Sequence, residues 1–175
     1  MSDHLRFPIG EFSWPARISA AEREDCISRI ASTPARLRTA LSGLSHEQLE
    51  TPYRDGGWTL RQVAHHVPDS HINSYVRFKL ALTEDNPTIK PYDEAAWALL
   101  SDSVDTPVET SLSLLDCLHQ RWVALLRGMT EDEWKKTFRH PALGPVSLEQ
   151  SLALYAWHGD QHIAHVTALR SRRAW

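Results

Sequence analysis

Thr59-Leu60-Arg61-Gln62-Val63-Ala64-His65-His66-Val67-Pro68-Asp69-Ser70-His71 is the stretch on which the reading of this chain turns. Its first four residues fit a capping box. The Thr59 oxygen can accept from the amide three residues on, and Gln62 can reach back to the cap amide. An apolar stripe then follows at helical spacing through Leu60, Ala64, Val67, His71, Tyr75, Phe78 and Leu82. The spacing predicts a helix over about 59–83, interrupted at Pro68.

The same signature recurs at Ser19/Glu22, Ser45/Gln48, Thr106/Glu109, Thr130/Glu133 and Ser147/Gln150. Pro107 falls at the first helical position of its box, where a missing N–H costs nothing. Three more long helices are expected. One covers about 19–42, with Ile27, Ile30, Ala31, Leu37 and Leu41 inward and a bend at Pro34. One covers about 107–128, with Leu115, His119, Trp122, Leu125 and Leu126 inward. The last covers about 147–171, with Leu148, Leu152, Tyr155, Val166 and Leu169 inward. Short helices are expected at 45–50, 93–100 and 130–135. No clear alternating strand pattern competes with them. The chain therefore reads as all-α, a four-helix bundle forming one domain over 1–175. The long connection from about 84 to 106, with Pro87 and Pro91, permits a crossover rather than a simple up-down order.

Composition excludes several classes of function. The length of 175 residues suits one domain. With 42% hydrophobic and 23% charged residues, disorder and low complexity are ruled out. The net charge of −3 and the lack of a Lys/Arg run argue against a nucleic-acid footprint or a membrane patch. No stretch approaches the roughly 18–20 apolar residues of a spanning helix. The segment Met1–Pro8 lacks the apolar run of a signal peptide, so a cytoplasmic protein is expected. Cys26 and Cys117 have no CxxC spacing and read as reduced core residues. The 10 histidines and 7 tryptophans stand out, the former as metal ligands or proton carriers and the latter as core and pocket walls.

The histidines concentrate on two helices. In Trp157-His158-Gly159-Asp160-Gln161-His162-Ile163-Ala164-His165, His158, His162 and His165 fall within roughly 60° of one another at 100° per residue. His158 and His162 are one turn apart, which lets two imidazoles converge on one ion. Asp160 points away from them. The zincin HExxH motif is excluded, because Gly159 stands where its catalytic Glu would be. On the second helix, a straight projection puts His71 at the centre of the apolar stripe and His65 and His66 to either side. Projection alone chooses His71 as the third ligand, although Pro68 breaks the regularity between them.

These residues resemble the DinB/YfiT superfamily, and within it the YfiT-like metal-dependent hydrolases, a group that includes a bacillithiol S-transferase. The resemblance runs through Phe7–Phe12, then Thr51–Thr59 on through His65-His66 and Asp69-Ser70-His71 to Lys79. It continues in Lys90-Pro91-Tyr92-Asp93-Glu94, Leu118-His119 with Arg121-Trp122, His140-Pro141, and Trp157-His158 with His162–His165. It implies a DinB-like four-helix bundle with short extra helices and one divalent metal ion, zinc or nickel, held by His66, His158 and His162. It also implies a homodimer. The ligand carried by the resemblance is His66, where projection chose His71. His65, His71, His119, His140 and His165 become candidates for supporting or pocket positions. The sequence departs from the group at Pro68 and at Gly159-Asp160-Gln161.

Three neutral imidazoles leave a divalent ion its full charge and an open position. Such an ion can hold a low-molecular-weight thiol as thiolate for S-transfer to an electrophile. Alternatively it can lower the pKa of bound water for hydrolysis. A third reading is a non-catalytic metal-binding bundle. No Asp or Glu stands beside the three histidines at a spacing that guarantees delivery of water, which favours S-transfer over hydrolysis.

Overall fold

The computed structural model describes residues 3–175. Its elements are α1 (Asp3–Arg6), α2 (Ala20–Leu41), α3 (His46–Leu49), α4 (Leu60–Thr83), α5 (Glu94–Trp97), α6 (Ser101–Asp105) and α7 (Val108–Arg127). A 3₁₀ turn (Glu133–Lys135), strands β1 (Thr137–His140) and β2 (Gly144–Ser147), and α8 (Leu148–Arg173) complete the chain. The reciprocal capping box forms at Ser19, Ser45, Thr59 and Ser147. Thr130 and Glu133 exchange the same pair of bonds over the 3₁₀ turn.

The box expected at Thr106 does not form. The helix starts at Val108, with Pro107 as its cap and no side-chain cap bond. The Thr106 carbonyl is engaged instead by His65 Nε2 at 3.1 Å and Arg61 Nη1 at 3.1 Å. Glu109 turns to Arg38 and Ser113. Nor does Pro68 interrupt its helix: α4 runs through Pro68 as α2 runs through Pro34, both prolines being buried. At Pro34 the carbonyl left without its helical donor, that of Ile30, is met by His119 Nδ1 at 2.6 Å. The short helix expected over 93–100 is the single turn α5, and a further short helix, α6, follows beyond those bounds.

A β-hairpin was not expected. Phe138 pairs with Val146 and His140 with Gly144, across a turn of Pro141, Ala142 and Leu143. Gly144 supplies the positive φ, +77°, that such a three-residue turn uses. Each strand buries a single residue, Phe138 or Val146, so there is too little alternation to detect. Cys26 is buried as expected, but Cys117 is exposed. It lies on the outer face of α7, opposite the stripe of Leu115, His119 and Trp122.

The long helices pack in a ring: α2 against α8, α8 against α4, α4 against α7, and α7 against α2. The first and second long helices therefore face each other across the bundle diagonal. Two apolar clusters fill the interior. One holds Ile30, Phe78, Trp122, Phe138 and Leu152. The other holds Leu37, Val63, Val67, Leu115 and Val166. Along each helix a polar position separates the two: Thr33 on α2, His71 on α4, His119 on α7 and His158 on α8. No helix among the described residues is long and apolar enough to cross a membrane.

Helix α8 comes unusually close to α2. A Cβ on Gly159 would lie 2.8 Å from Thr33 Oγ1 and 3.1 Å from Thr33 Cγ2. On the next residue, Asp160 is held by Arg29 Nη2 at 2.7 Å and by Arg36. Gly159→Ala is expected to destabilise the protein by about 1–3 kcal/mol through overpacking. Gly159→Ala with Thr33→Ala should recover most of the loss. Urea denaturation of the parent, the two single variants and the double variant checks this; a simple additive loss in the double variant would contradict the close approach.

Candidate metal centre

The site lies between α4 and α8, beside the polar layer. His66, His158 and His162 each present a ring nitrogen, all within 4.8 Å of one another. His66 Nε2 and His158 Nε2 are 3.2 Å apart. The ring centroids are 4.8 Å apart for His66 and His162, and 4.4 Å for His158 and His162. Two nitrogens bound to one tetrahedral ion at 2.0–2.1 Å stand about 3.3 Å apart. The donor set thus fits a small divalent ion without rearrangement of the His66–His158 pair.

His71 takes another place. It is fully buried and sits behind His158, its Nε2 3.1 Å from His158 Nδ1. Its Nδ1 is 2.8 Å from His119 Nε2, and His119 Nδ1 is 2.6 Å from the Ile30 carbonyl. Projection correctly placed His71 on the bundle axis. The three convergent rings lie to one side of that axis, where α4 faces α8. His165 bridges from His162 to the chain start: its Nδ1 is 3.4 Å from His162 Nδ1, and its Nε2 is 2.9 Å from the Arg6 carbonyl. His65 is remote, bonded to Ser111 Oγ and the Thr106 carbonyl. His140 lines a chamber of about 210 Å³ on the other side of His158, with Arg77, Tyr92 and Glu94.

A cleft of about 360 Å³ opens onto the three rings. Its walls come largely from residues to which sequence reasoning assigned no individual role. The loop before α4 reverses at Gly56, φ +65°, and Gly57 lies so close to Arg54 that a Cβ would meet Arg54 Cγ at 2.8 Å. This reversal stacks Tyr53 on His165, with ring centroids 4.0 Å apart, and brings Trp58 to 4.5 Å from the His66 ring. The end of α1 and the segment after it cover α8: Gln161 Nε2 donates to the Arg6 carbonyl at 2.7 Å, and Trp157 Nε1 donates to the Gly10 carbonyl at 3.2 Å. Arg6, Arg54 and Glu94 bring charge to the cleft. No Asp or Glu was expected beside the three histidines at a spacing that guarantees delivery of water; the fold nevertheless brings one carboxylate, Glu94, to the lining of their cleft. The separation of Glu94 from His66 in sequence hid it; the run Tyr92-Asp93-Glu94, which opens the short helix α5, was the only signal.

Burial holds the imidazoles neutral. The pKa of His66 is pushed down to about 4 by burial, with His165 adding to the effect. That of His119 also falls to about 4 through burial, against the opposing pull of the Ile30 carbonyl. His71, His158 and His162 lie well below the ordinary value for the same reason. Neutral imidazole is the form that binds a metal ion. The Glu94 carboxyl is raised by burial and by neighbouring Asp93.

The DinB superfamily model matches residues 29–166, and the chain belongs to that superfamily. A protein of Bacillus cereus (strain B4264), named "putative metal-dependent hydrolase", is 53% identical over 171 residues, 98% of each chain. A Bacillus mycoides protein of the same description is 52% identical over 171 residues, again 98% of each. Among solved structures, the chain matches YfiT from Bacillus subtilis with a TM-score of 0.96 at 48% identity, covering 98% of this chain and 99% of that one. YfiT is described as "a probable metal-dependent hydrolase with an unusual four-helix bundle topology". The four-helix bundle protein TT2238 shares the fold, with a TM-score of 0.56 at 20% identity over 87% of this chain.

The depressed histidines give the metal-free protein a defined pH dependence. In the unfolded chain these rings titrate near 6.5, so unfolding takes up protons between that value and about 4. The stability of chelator-treated protein should be full above pH 6.5 and fall steadily as pH drops toward 4. Urea titrations at pH 7.5, 6.5, 5.5 and 4.5 measure it. A flat profile would show that the rings are not held neutral.

Proposed function

We propose that this chain is a metal-dependent enzyme in which His66, His158 and His162 hold one divalent ion, zinc or nickel, and that the site activates a low-molecular-weight thiol for transfer to an electrophile. The observation that carries this reading is the convergence of three neutral imidazoles at the floor of an open cleft. When bound, the ion would supply a strong electrophilic centre that holds a thiol as thiolate, or acidifies water, at neutral pH. The three donors bring no negative charge of their own, so an anionic sulfur ligand is favoured there. Trp58 and Tyr53 offer an apolar wall and Arg6 and Arg54 a cationic rim, room for a small amphipathic substrate.

Hydrolysis is the second reading. It is favoured by the names of the relatives and by Glu94, a carboxylate that lines the same cleft and is placed to act as a general base. In that reading Glu94 takes the proton of the attacking water. In S-transfer the thiol, with an ordinary pKa of about 8.5, would release its proton to bulk solvent on binding, and Glu94 is not required.

Two measurements test the proposal. His66→Ala, His158→Ala and His162→Ala should each drop metal content far below one ion per chain while helical circular dichroism mostly survives, because the apolar clusters carry the fold. His71→Ala should retain the ion. Full occupancy in the first three variants, or its loss in His71→Ala alone, would overturn the ligand assignment. Loaded protein should then consume a small thiol in the presence of monochlorobimane, with Glu94→Gln within about tenfold of the parent. Ester or amide turnover without thiol, lost by about 10²–10⁴-fold in Glu94→Gln, would establish hydrolysis instead. Stoichiometric metal with neither activity would leave a binding bundle.

A further inference from the structure

The buried hydrogen bonds behind the three convergent rings have only one consistent direction. A backbone carbonyl can only accept. His119 Nδ1, 2.6 Å from the Ile30 carbonyl, must therefore carry its proton. A neutral imidazole has one N–H, so His119 Nε2 is a lone pair and accepts from His71 Nδ1 at 2.8 Å. His71 Nε2 is then a lone pair and accepts from His158 Nδ1 at 3.1 Å. The Nε2 of His158 is left as a lone pair on the side facing His66. A second, shorter chain obeys the same rule. His165 Nε2 donates to the Arg6 carbonyl at 2.9 Å, which leaves His165 Nδ1 to accept from His162 Nδ1 at 3.4 Å. The Nε2 of His162 is again the free lone pair. Gln161 Nε2 and His165 Nε2, 3.4 Å apart, are two donors on the same Arg6 carbonyl rather than partners of each other.

Both terminal carbonyls are free to anchor these chains for covalent reasons. The Ile30 carbonyl would normally accept from the amide four residues on, but that residue is Pro34, which has no N–H. The Arg6 carbonyl closes the single turn of α1 and has no later helical residue to serve. The series from Ile30 draws on all four long helices, each supplying one group: the α2 carbonyl, His119 of α7, His71 of α4 and His158 of α8.

We propose that His119 with His71, and separately His165, are positioning residues that fix His158 and His162 as Nδ1–H tautomers, so that both Nε2 lone pairs face the metal position. This rests on the reading of His66, His158 and His162 as metal ligands. A lone pair already aimed at the ion removes the need to change tautomer or rotate a ring on binding, and a carbonyl-anchored partner raises the basicity of the ligating nitrogen. The two inner rings of the series from Ile30 are shut off from solvent and keep their partners: His71 is 0% and His119 2% exposed.

The tautomers are read directly in the metal-free protein. Long-range ¹⁵N–¹H correlation spectra of chelator-treated, ¹⁵N-histidine-labelled protein at pH 7.5 should show Nδ1–H for His119, His71, His158 and His162, and Nε2–H for His165. His158 found as Nε2–H would overturn the proposal. His119→Phe, which removes the link to Ile30, should lose the His158 Nδ1–H signature and weaken zinc binding by about 10- to 100-fold, with all three ligands retained. His119→Gln can donate to the carbonyl and accept from His71, and should restore affinity. If His119→Phe does not fold, His165→Phe tests the second chain with the same two readouts on His162, and His165→Gln tests its rescue. Unchanged affinity and unchanged tautomers in the folded Phe variants would overturn the positioning role. A parent protein with the expected tautomers that binds no zinc would instead overturn the metal reading and leave the tautomer assignment standing.

Discussion

A single missing N–H organises the interior of this protein. Pro34 leaves the Ile30 carbonyl without its helical partner in the middle of a bundle, at a residue with no exposed surface. An unmatched buried carbonyl costs about 1–3 kcal/mol, so the fold must bring a donor to it. The donor is His119, and satisfying it hands the same problem to the next ring, and then to the next. The series ends at His158, where the last nitrogen meets the cleft rather than another protein donor. Apolar packing on either side of this layer keeps it dry and in register: Trp122 and Tyr155 stand edge-on to His71, with ring centroids 5.7 and 5.2 Å away. The bundle thus carries one polar slice between two apolar clusters, and the candidate site is the open end of that slice.

The close approach of α2 and α8 belongs to the same design. Gly159 lets α8 lie against Thr33, one residue before Pro34, and Asp160 fastens it there through Arg29 and Arg36. His158 precedes this contact and His162 follows it by one turn. The two rings are therefore held on a helix segment that is pinned on its far face. The sequence departures at Gly159 and Asp160 act on helix packing and leave the cleft alone; Gln161 acts on both, since its side chain ties α8 to the chain start through the Arg6 carbonyl.

The bundle was legible because its signals are local. Ser19, Thr59 and Ser147 set helix starts by bonds within four residues, and the apolar stripes repeat over several turns. His158 and His162 were legible for the same reason, being one turn apart on one helix. What lay beyond reach depended on long-range partners. Thr106 looked like a cap until Arg61 and His65 claimed its carbonyl. The hairpin at Thr137–Ser147 buries one residue per strand, below what a period of two can reveal. Projection found that His71 is buried on the axis but had no means of placing the opening of the cleft, which is made by Tyr53, Trp58 and the segment after α1. The resemblance supplied His66 because its match runs through the Gly56-Gly57-Trp58 reversal that builds that opening.

The charges around the cleft bear on which nucleophile the site would favour. Every ring nitrogen in the slice is matched by another neutral ring or a carbonyl, so no negative charge reaches the three convergent histidines from behind. Many metal-ligating histidines lean on a carboxylate, which feeds negative charge to the ion and softens its pull on a fourth ligand. Here the support is neutral, and Arg6 and Arg54 at the rim add positive charge. An ion in such surroundings keeps its electrophilic strength and gains most from a ligand that is itself an anion. A thiolate satisfies that demand by binding alone. Water satisfies it only after its proton has gone elsewhere, and among the residues lining the cleft Glu94 is the one carboxylate that can receive it. The division between S-transfer and hydrolysis therefore comes down to whether the Glu94 side chain reaches the nucleophile.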